Sequence, residues 1–172
     1  MRNILFTLAL IVSFSTFGQD VNLNVERSDL PILNKKIIEY VNSVLGKRVD
    51  RGECWDLAFR ALEASGSYFD RSSEKTINVY GRVLDLAKEK VIAGDLIQFK
   101  RVKWMYIKNG KKFYGYANEH TAIVHSVNSI NDFQIAEQNT PEFGKKVGIS
   151  QLKTEWIVRG DIFIYRPVAT KP

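Results

Sequence analysis

The spacing of apolar residues changes once along the chain, from helical to extended. Helical spacing predicts a first helix that starts at Asn34 and stops at Gly46. A second helix is predicted over residues 54–65, with Gly66 as its stop signal. No comparable helical pattern follows, so the helices belong to the N-terminal half of the fold.

The rest of the chain reads as short extended segments joined by tight turns. Asn109-Gly110 is a strong hairpin signal, and residues 128–132 predict a second hairpin. The predicted strands are 83–86, 96–100, 102–107, 112–116, 121–127, 133–138, 147–152 and 161–166. Helices followed by an antiparallel meander predict an α+β fold, with the N-terminal helices packed on an antiparallel sheet.

Residues 1–18 have the order of a secretory signal peptide. Arg2 is followed by an apolar run over 4–14 and by small residues up to Gly18. A membrane anchor is the alternative, but the run is shorter than the roughly 20 residues that span a bilayer. We predict cleavage after Gly18, a mature N-terminus at Gln19, no stable membrane insertion afterwards, and a secreted or periplasmic location.

The remaining residues fit one domain. We divide them into an N-terminal polar segment (19–33), a folded domain (34–168) and a short tail (169–172). The chain carries a net charge of +6, but its lysines and arginines are scattered among acids rather than massed in a stripe. We therefore predict no nucleic-acid partner. The surplus of positive charge favours binding to an anionic polymer such as a cell wall.

The chain has a single cysteine, Cys54, so no internal disulfide can form. A lone cysteine is either an apolar filler or a functional thiol. Cys54 stands at the first turn of its predicted helix, where free backbone N–H groups and the helix dipole stabilise a thiolate. This setting favours a nucleophile.

A thiolate nucleophile needs an imidazole partner, and the chain has two histidines, His120 and His125. Five residues apart on one strand, they point to opposite faces, so one at most can meet Cys54. We predict His120, which opens its strand and shares a face with Ala122 and Val124, as suits a residue at the sheet edge that faces the helix. The alternative is that both are ordinary strand histidines.

The next strand offers a partner for the second imidazole nitrogen. If the hairpin closes near residues 129–131, Glu137 and Asn139 lie across from the start of the His120 strand, while Gln138 points away and is solvated. One cysteine and two histidines have no metal-ligand spacing. We predict no metal and no other cofactor.

Four motifs, in order, resemble those of one family. They are Gly52-Glu53-Cys54-Trp55-Asp56-Leu57-Ala58, Ala93-Gly94-Asp95-Leu96-Ile97-Gln98-Phe99, His120-Thr121-Ala122-Ile123-Val124 and Ile135-Ala136-Glu137-Gln138-Asn139. Together they resemble the CHAP amidohydrolase/peptidase domains of the NlpC-type papain-like superfamily, although Ala93 replaces that family's proline.

The resemblance implies a papain-like half-barrel that cleaves amide bonds, often in peptidoglycan peptides. By motif, Cys54 is the nucleophile, His120 the base, Glu137 the orienter and Asn139 an auxiliary residue. A long basic segment, 104–116, has the length to cover or shape the cleft.

The sequence therefore predicts a secreted cysteine hydrolase, a peptidoglycan amidase or endopeptidase whose CHAP-like domain covers residues 34–168. Its predicted partner is a peptide or peptidoglycan substrate. A catalytically inactive binding module of the same fold, or a hydrolase delivered as a toxin or effector, are the alternatives. The oligomeric state stays open.

Overall fold

The computed structural model describes residues 29–70 and 79–172. Within them, two helices precede six strands. The bounds are α1 Ile32–Val44, α2 Cys54–Ser65, β1 Arg82–Val83, β2 Leu96–Lys108, β3 Lys111–Ser129, β4 Asp132–Glu137, β5 Gly148–Lys153 and β6 Ile157–Arg166. The strands form one antiparallel sheet in the order β1-β6-β2-β3-β4-β5. This confirms the predicted α+β fold.

The predicted signal peptide, 1–18, and the first part of the polar segment, 19–28, lie outside the described residues. In the part of the chain that the structure describes, no helix is long and apolar enough to cross a membrane.

Both helices form where the periodicity places them. α1 begins at Ile32, two residues earlier than predicted, because Pro31 with a φ of −51° already directs the chain into the first turn. Its apolar stripe is buried, as Ile37 and Val41 show. The bounds of α2 match the prediction, and Gly66 ends it in the left-handed region at a φ of 76°.

β2 and β3 are each longer than the sequence indicates. The prediction splits each of them in two, whereas the structure has continuous strands of 13 and 19 residues. The polar stretch 117–120 lacks alternation, but its cross-strand pairing with β2 holds it extended. Asn109 and Gly110 form the predicted turn, with φ values of 51° and 72°.

The sheet curls into a half-barrel, and its connections show why. β5 and β6 are separated in the sheet by β2, β3 and β4, which in a flat sheet puts them roughly 19 Å apart. Only the three residues of a 3-10 turn, Thr154–Trp156, join them. Such a link spans at most about 14 Å, so the sheet must bend to bring its two ends together.

The curl gives the sheet two different buried faces. On one face, Ile123 and Ala136 pack against the helices in a cluster with Leu57. On the other, concave face, Val124 and Ile135 belong to a second cluster, whose members come from the strands and the β1-to-β2 connection. The alternation of a strand thus decides whether a side chain meets the helices or the inside of the half-barrel.

Candidate active site

Cys54 is the first residue of α2, and a buried carboxylate fixes that start. Asp56 is 2% exposed, and its carboxylate accepts hydrogen bonds from the backbone N–H groups of Arg51 and Glu53, each at 3.1 Å. It also pairs with the Arg51 guanidinium at 2.9 Å. These contacts hold the turn that presents the thiol.

His120 and Glu137 lie together on the concave face, one on β3 and one at the end of β4. The His120 Nε2 atom is 2.8 Å from a carboxylate oxygen of Glu137, and the two side chains are 15% and 12% exposed. The other Glu137 oxygen accepts a hydrogen bond from the Ser150 hydroxyl on β5 at 2.5 Å. Glu137 is therefore held from two sides, and the predicted juxtaposition of Glu137 with His120 is present.

The thiol of Cys54 meets the imidazole of His120. The ring and the backbone N–H groups of Thr121 and Trp55 all act on the thiol and lower its pKa. Because Nε2 contacts Glu137, Nδ1 is the ring nitrogen left to face the sulfur. A chain of contacts thus runs from the thiol through the ring to the carboxylate.

The surroundings favour the charged forms of both groups. Burial by itself raises the pKa of the Cys54 thiol, but the hydrogen bond and charge of His120, with the two backbone N–H groups, outweigh it and hold the pKa below the usual value. Burial by itself lowers the pKa of His120, but hydrogen bonds with Cys54 and Glu137 raise it to about 9. Both shifts favour a thiolate and an imidazolium over the neutral pair.

The facing that we assumed for His120 is wrong in two respects. His120 lies within β3 rather than at its start, and its ring contacts Phe99 on the concave face instead of the face that packs on the helices. β4 ends at Glu137, whereas β3 extends past that end, and His120 lies on the extended part of β3. The start of α2 lies in the space beyond the end of β4, so Cys54 can contact His120 there.

His125 lies elsewhere, as the opposite-face argument predicts. Its Nε2 atom is 2.9 Å from the side-chain oxygen of Asn42 on α1. The two histidines therefore serve different faces of β3, and only His120 contacts the thiol.

The structure does not bring Asn139 to the histidine. Its side-chain amide donates to the Glu53 carboxylate at 2.8 Å, at an exposed position just before the nucleophile. Its backbone φ of 62° turns the chain away from β4. Asn139 therefore braces the loop ahead of Cys54 rather than the ring of His120.

Gln138 is the residue that the sequence argument missed. We expected it to be solvated, but it is fully buried. Its side-chain oxygen accepts from the Val49 N–H at 3.2 Å, and its amide donates to the carbonyls of Val49 at 3.2 Å and Glu53 at 2.7 Å. The signal was available in the run Glu137-Gln138-Asn139, where three polar residues end an apolar strand.

Two cavities meet at Cys54 and His120. One, of about 780 Å³, lies beside α2 and is also lined by Trp55 and Tyr80. The other, of about 960 Å³, opens on the concave face and includes Glu137 in its lining. The reactive pair is therefore accessible from two sides. Among the described residues no cluster of His, Cys, Asp and Glu could hold a metal ion.

The fold has relatives among known proteins. A family model described as the AIM3/BBC1 cysteine proteinase-fold domain matches residues 33–171. No curated protein matches the sequence at a significant level. The papain-like cysteine proteinase fold is thus confirmed, while the narrower resemblance to CHAP domains stays a prediction.

Two solved structures are similar in part. They are crystal structures of Ly7917, alone and with the hydrolyzing product of MDP, at 16% and 18% sequence identity. They cover 77% and 78% of this chain and 62% and 63% of Ly7917, with TM-scores of 0.46 and 0.47. The chain thus spans less than two thirds of the length of Ly7917.

Proposed function

The chain belongs to the family of AIM3/BBC1 cysteine proteinase-fold domains, and we propose from this that it is a cysteine hydrolase that cleaves amide bonds. One observation carries the proposal. The Cys54 thiol and the His120 ring lie beside two shared cavities and shift each other's pKa, and the ring is held by the Glu137 carboxylate at 2.8 Å. A purely structural thiol has no need of an imidazolium partner or of an opening beside it.

The geometry supports a two-step reaction through an acyl-enzyme. The Cys54 thiolate attacks the carbonyl carbon of the substrate, and the positive end of the α2 dipole favours the negative charge that moves to the carbonyl oxygen. As the C–N bond breaks, the His120 imidazolium gives its proton to the leaving amine. The products of this step are a free amine and a thioester on Cys54.

Water completes the cycle. Neutral His120 takes a proton from a water molecule, whose oxygen attacks the thioester carbonyl. The acid product leaves, and the thiolate and imidazolium are restored. Glu137 keeps the ring oriented through both steps, because its contact with Nε2 leaves Nδ1 pointing at the sulfur.

For the substrate we propose peptides of the bacterial cell wall. The support is the four sequence motifs that resemble CHAP domains and the net charge of +6, which suits an anionic polymer. We also propose that the protein is exported, on the residue order of segment 1–18. Mass spectrometry of exported protein should find an N-terminus at Gln19, whereas intact Met1 in a membrane fraction would refute cleavage.

The test uses purified sacculi from several bacteria, incubated with the mature protein and with Cys54→Ala. We expect wild type to release peptide fragments and Cys54→Ala to release none, as read by mass spectrometry. In parallel, the alkylation rate of Cys54 against pH should show an inflection below the unperturbed value of about 8.5. An inflection at that value, without fragment release, would contradict the hydrolase proposal and favour a binding module.

A further inference from the structure

The cavity on the concave face has an apolar floor. Four side chains form it, each from a strand and each at most 7% exposed: Phe99, Val102, Ile135 and Leu152. Cys54, His120 and Glu137 lie along the same cavity, whose volume of about 960 Å³ is in the range of small-molecule sites. A substrate held at the thiol can therefore extend a group onto this floor.

Fixed aromatic rings form one wall of the cavity. The Tyr106 ring is stacked between Trp156, at 4.7 Å, and Phe113, at 5.1 Å. The Trp104 ring lies so close to Gly115 that a Cβ there would come within 2.1 Å of it. Neighbours thus hold both rings in place before any substrate binds, which reduces the entropy cost of binding.

The wall comes largely from the long basic segment noted in the sequence. Trp104, Tyr106 and Tyr116 all lie within 104–116 and line the cavity. This confirms that the segment shapes the cleft. The described lining residues from this segment are Trp104, Tyr106, Ile107 and Tyr116, so it contributes apolar and aromatic surface to the cavity.

Charges around the cavity disfavour an anionic group. Glu119 and Glu142 line it, and Glu137 is engaged with His120. Lys153 is the one lysine or arginine among the described lining residues, and it pairs with Asp132 at 3.4 Å. A carboxylate placed on the apolar floor would lose its hydration, and the cationic groups among the described lining residues, Lys153 and His120, are already paired with acids.

We propose that this cavity binds a neutral aromatic or large aliphatic group of the substrate, next to the scissile amide bond. The assignment rests on the proposed hydrolase function, because it places that group beside the Cys54 thiol. For a cell-wall peptide, which carries free carboxylates, it puts a neutral portion of the peptide in the cavity and leaves the carboxylates outside.

The test measures protection of Cys54 from iodoacetamide by three small amides that differ in one side chain. They are the α-amides of N-acetyl-L-phenylalanine, N-acetylglycine and N-acetyl-L-aspartate. We expect the phenylalanine compound to protect at a concentration at least about tenfold lower than the glycine compound, since only its ring reaches the apolar floor. The aspartate compound should protect least. Equal protection by all three, or best protection by aspartate, would overturn the assignment.

A variant pair locates the site. Trp104→Ala removes part of the wall and should abolish the preference for the phenylalanine compound. Tyr114→Ala is the matched control, because Tyr114 is 73% exposed on the same hairpin and does not line the cavity. Retention of the preference in folded Trp104→Ala would show that another surface binds the ring. If Trp104→Ala does not fold, the three-compound comparison in wild type still decides.

The result does not depend on turnover. Alkylation is followed at about pH 9, where even an ordinary thiol is largely ionised. If sacculi stay intact and the alkylation inflection is unshifted, but the phenylalanine compound protects selectively, the cavity binds the group as assigned and the hydrolase proposal fails. If sacculi are cleaved but protection is unselective, the hydrolase proposal stands and the cavity assignment fails.

Discussion

Two clusters of hydrogen-bonded polar residues, one partly exposed and one largely buried, each join an acid to a basic side chain but differ in what they can do. The reactive cluster is Cys54, His120 and Glu137. The structural cluster is Asn34, Asp95 and Arg166: the Asp95 carboxylate accepts from the Arg166 guanidinium at 2.6 and 3.0 Å and from the Asn34 amide at 3.0 Å. Each cluster contains a carboxylate with a basic partner, and in each at least one group, Cys54 and His120 in the first and Asp95 in the second, has a shifted pKa.

The two clusters differ in their access to a cavity and in whether they contain a nucleophile. Asp95 has no exposed surface, and burial raises the pKa of its carboxyl against the lowering effect of Arg166. It fastens α1 to the sheet and is not among the residues that line the two cavities at Cys54. The Cys54 thiol lines two cavities and carries a nucleophilic electron pair. Shifted pKa values alone therefore do not mark a site, whereas a shifted nucleophile beside a cavity does.

The largest effect should come from breaking the reactive cluster at its base. We expect His120→Ala to lower turnover about 100- to 10,000-fold and to slow Cys54 alkylation at neutral pH, because the thiolate loses its partner. His125→Ala is the matched control, since His125 contacts Asn42 on another face. Circular dichroism checks folding in both. Folded, inactive His125→Ala beside active His120→Ala would reverse the assignment.

Breaking the structural cluster should cost stability and leave the chemistry intact. Asp95→Ala leaves Arg166 without its buried partner, and we expect a loss of about 3 kcal/mol in the free energy of unfolding, measured with urea. The alkylation rate of Cys54 in the folded protein should stay within about twofold of wild type. Lys88→Ala, at an exposed ion pair with Asp85, is the control and should cost less than about 1 kcal/mol. A loss of thiol reactivity in Asp95→Ala without loss of stability would show that Asp95 supports the chemistry at Cys54, and the distinction between the two clusters would fail.

Gln138 tests whether a structural contact can have a chemical consequence. Gln138→Leu leaves the buried Val49 N–H without its hydrogen-bond partner and removes one of the two hydrogen bonds at each of the Val49 and Glu53 carbonyls, so we expect a loss of about 1 to 3 kcal/mol in stability. The loop before Cys54 should also loosen and lower turnover about tenfold, with an upward shift in the alkylation inflection. Gln134→Leu, on the same strand and half-buried, is the control. An unchanged inflection would reduce Gln138 to a purely structural role.

The smallest effect is expected from Glu137→Gln, which keeps an acceptor for the imidazole N–H. Turnover should fall about tenfold or less, because the ring stays oriented while its charge is less stabilised. The pKa of His120 should drop below its present value of about 9. An NMR titration of the His120 ring measures the upper limit of the ion pair, because that limit is the loss of the imidazolium proton. No change in that limit would mean that Glu137 does not support the imidazolium.

The direction in which pH changes the folding stability follows from the direction of the His120 pKa shift. The pKa of His120 is raised from 6.5 to about 9 in the folded protein. The stabilisation that its imidazolium contributes is therefore complete below 6.5 and lost as the pH rises through about 9. In Glu137→Gln this loss should begin at lower pH.

Much of the site could be predicted from the sequence. Cys54 at a helix start, His120 on a strand and Glu137 across a hairpin follow from local periodicity and turn signals, and the structure brings them together. The α+β order and both helices follow from the same signals. These features depend on residues near one another in the chain, which set local backbone preference and pairing register.

Only the tertiary structure decided the rest. Whether His120 faces the helices or the concave side, whether Gln138 is solvated or buried, and whether Asn139 contacts the histidine all depend on where β4 ends relative to α2. The aromatic cavity exists because the curl of the sheet brings Trp156 against Tyr106. Such contacts join segments far apart in the chain, and alternation along one strand does not say what its two faces will meet.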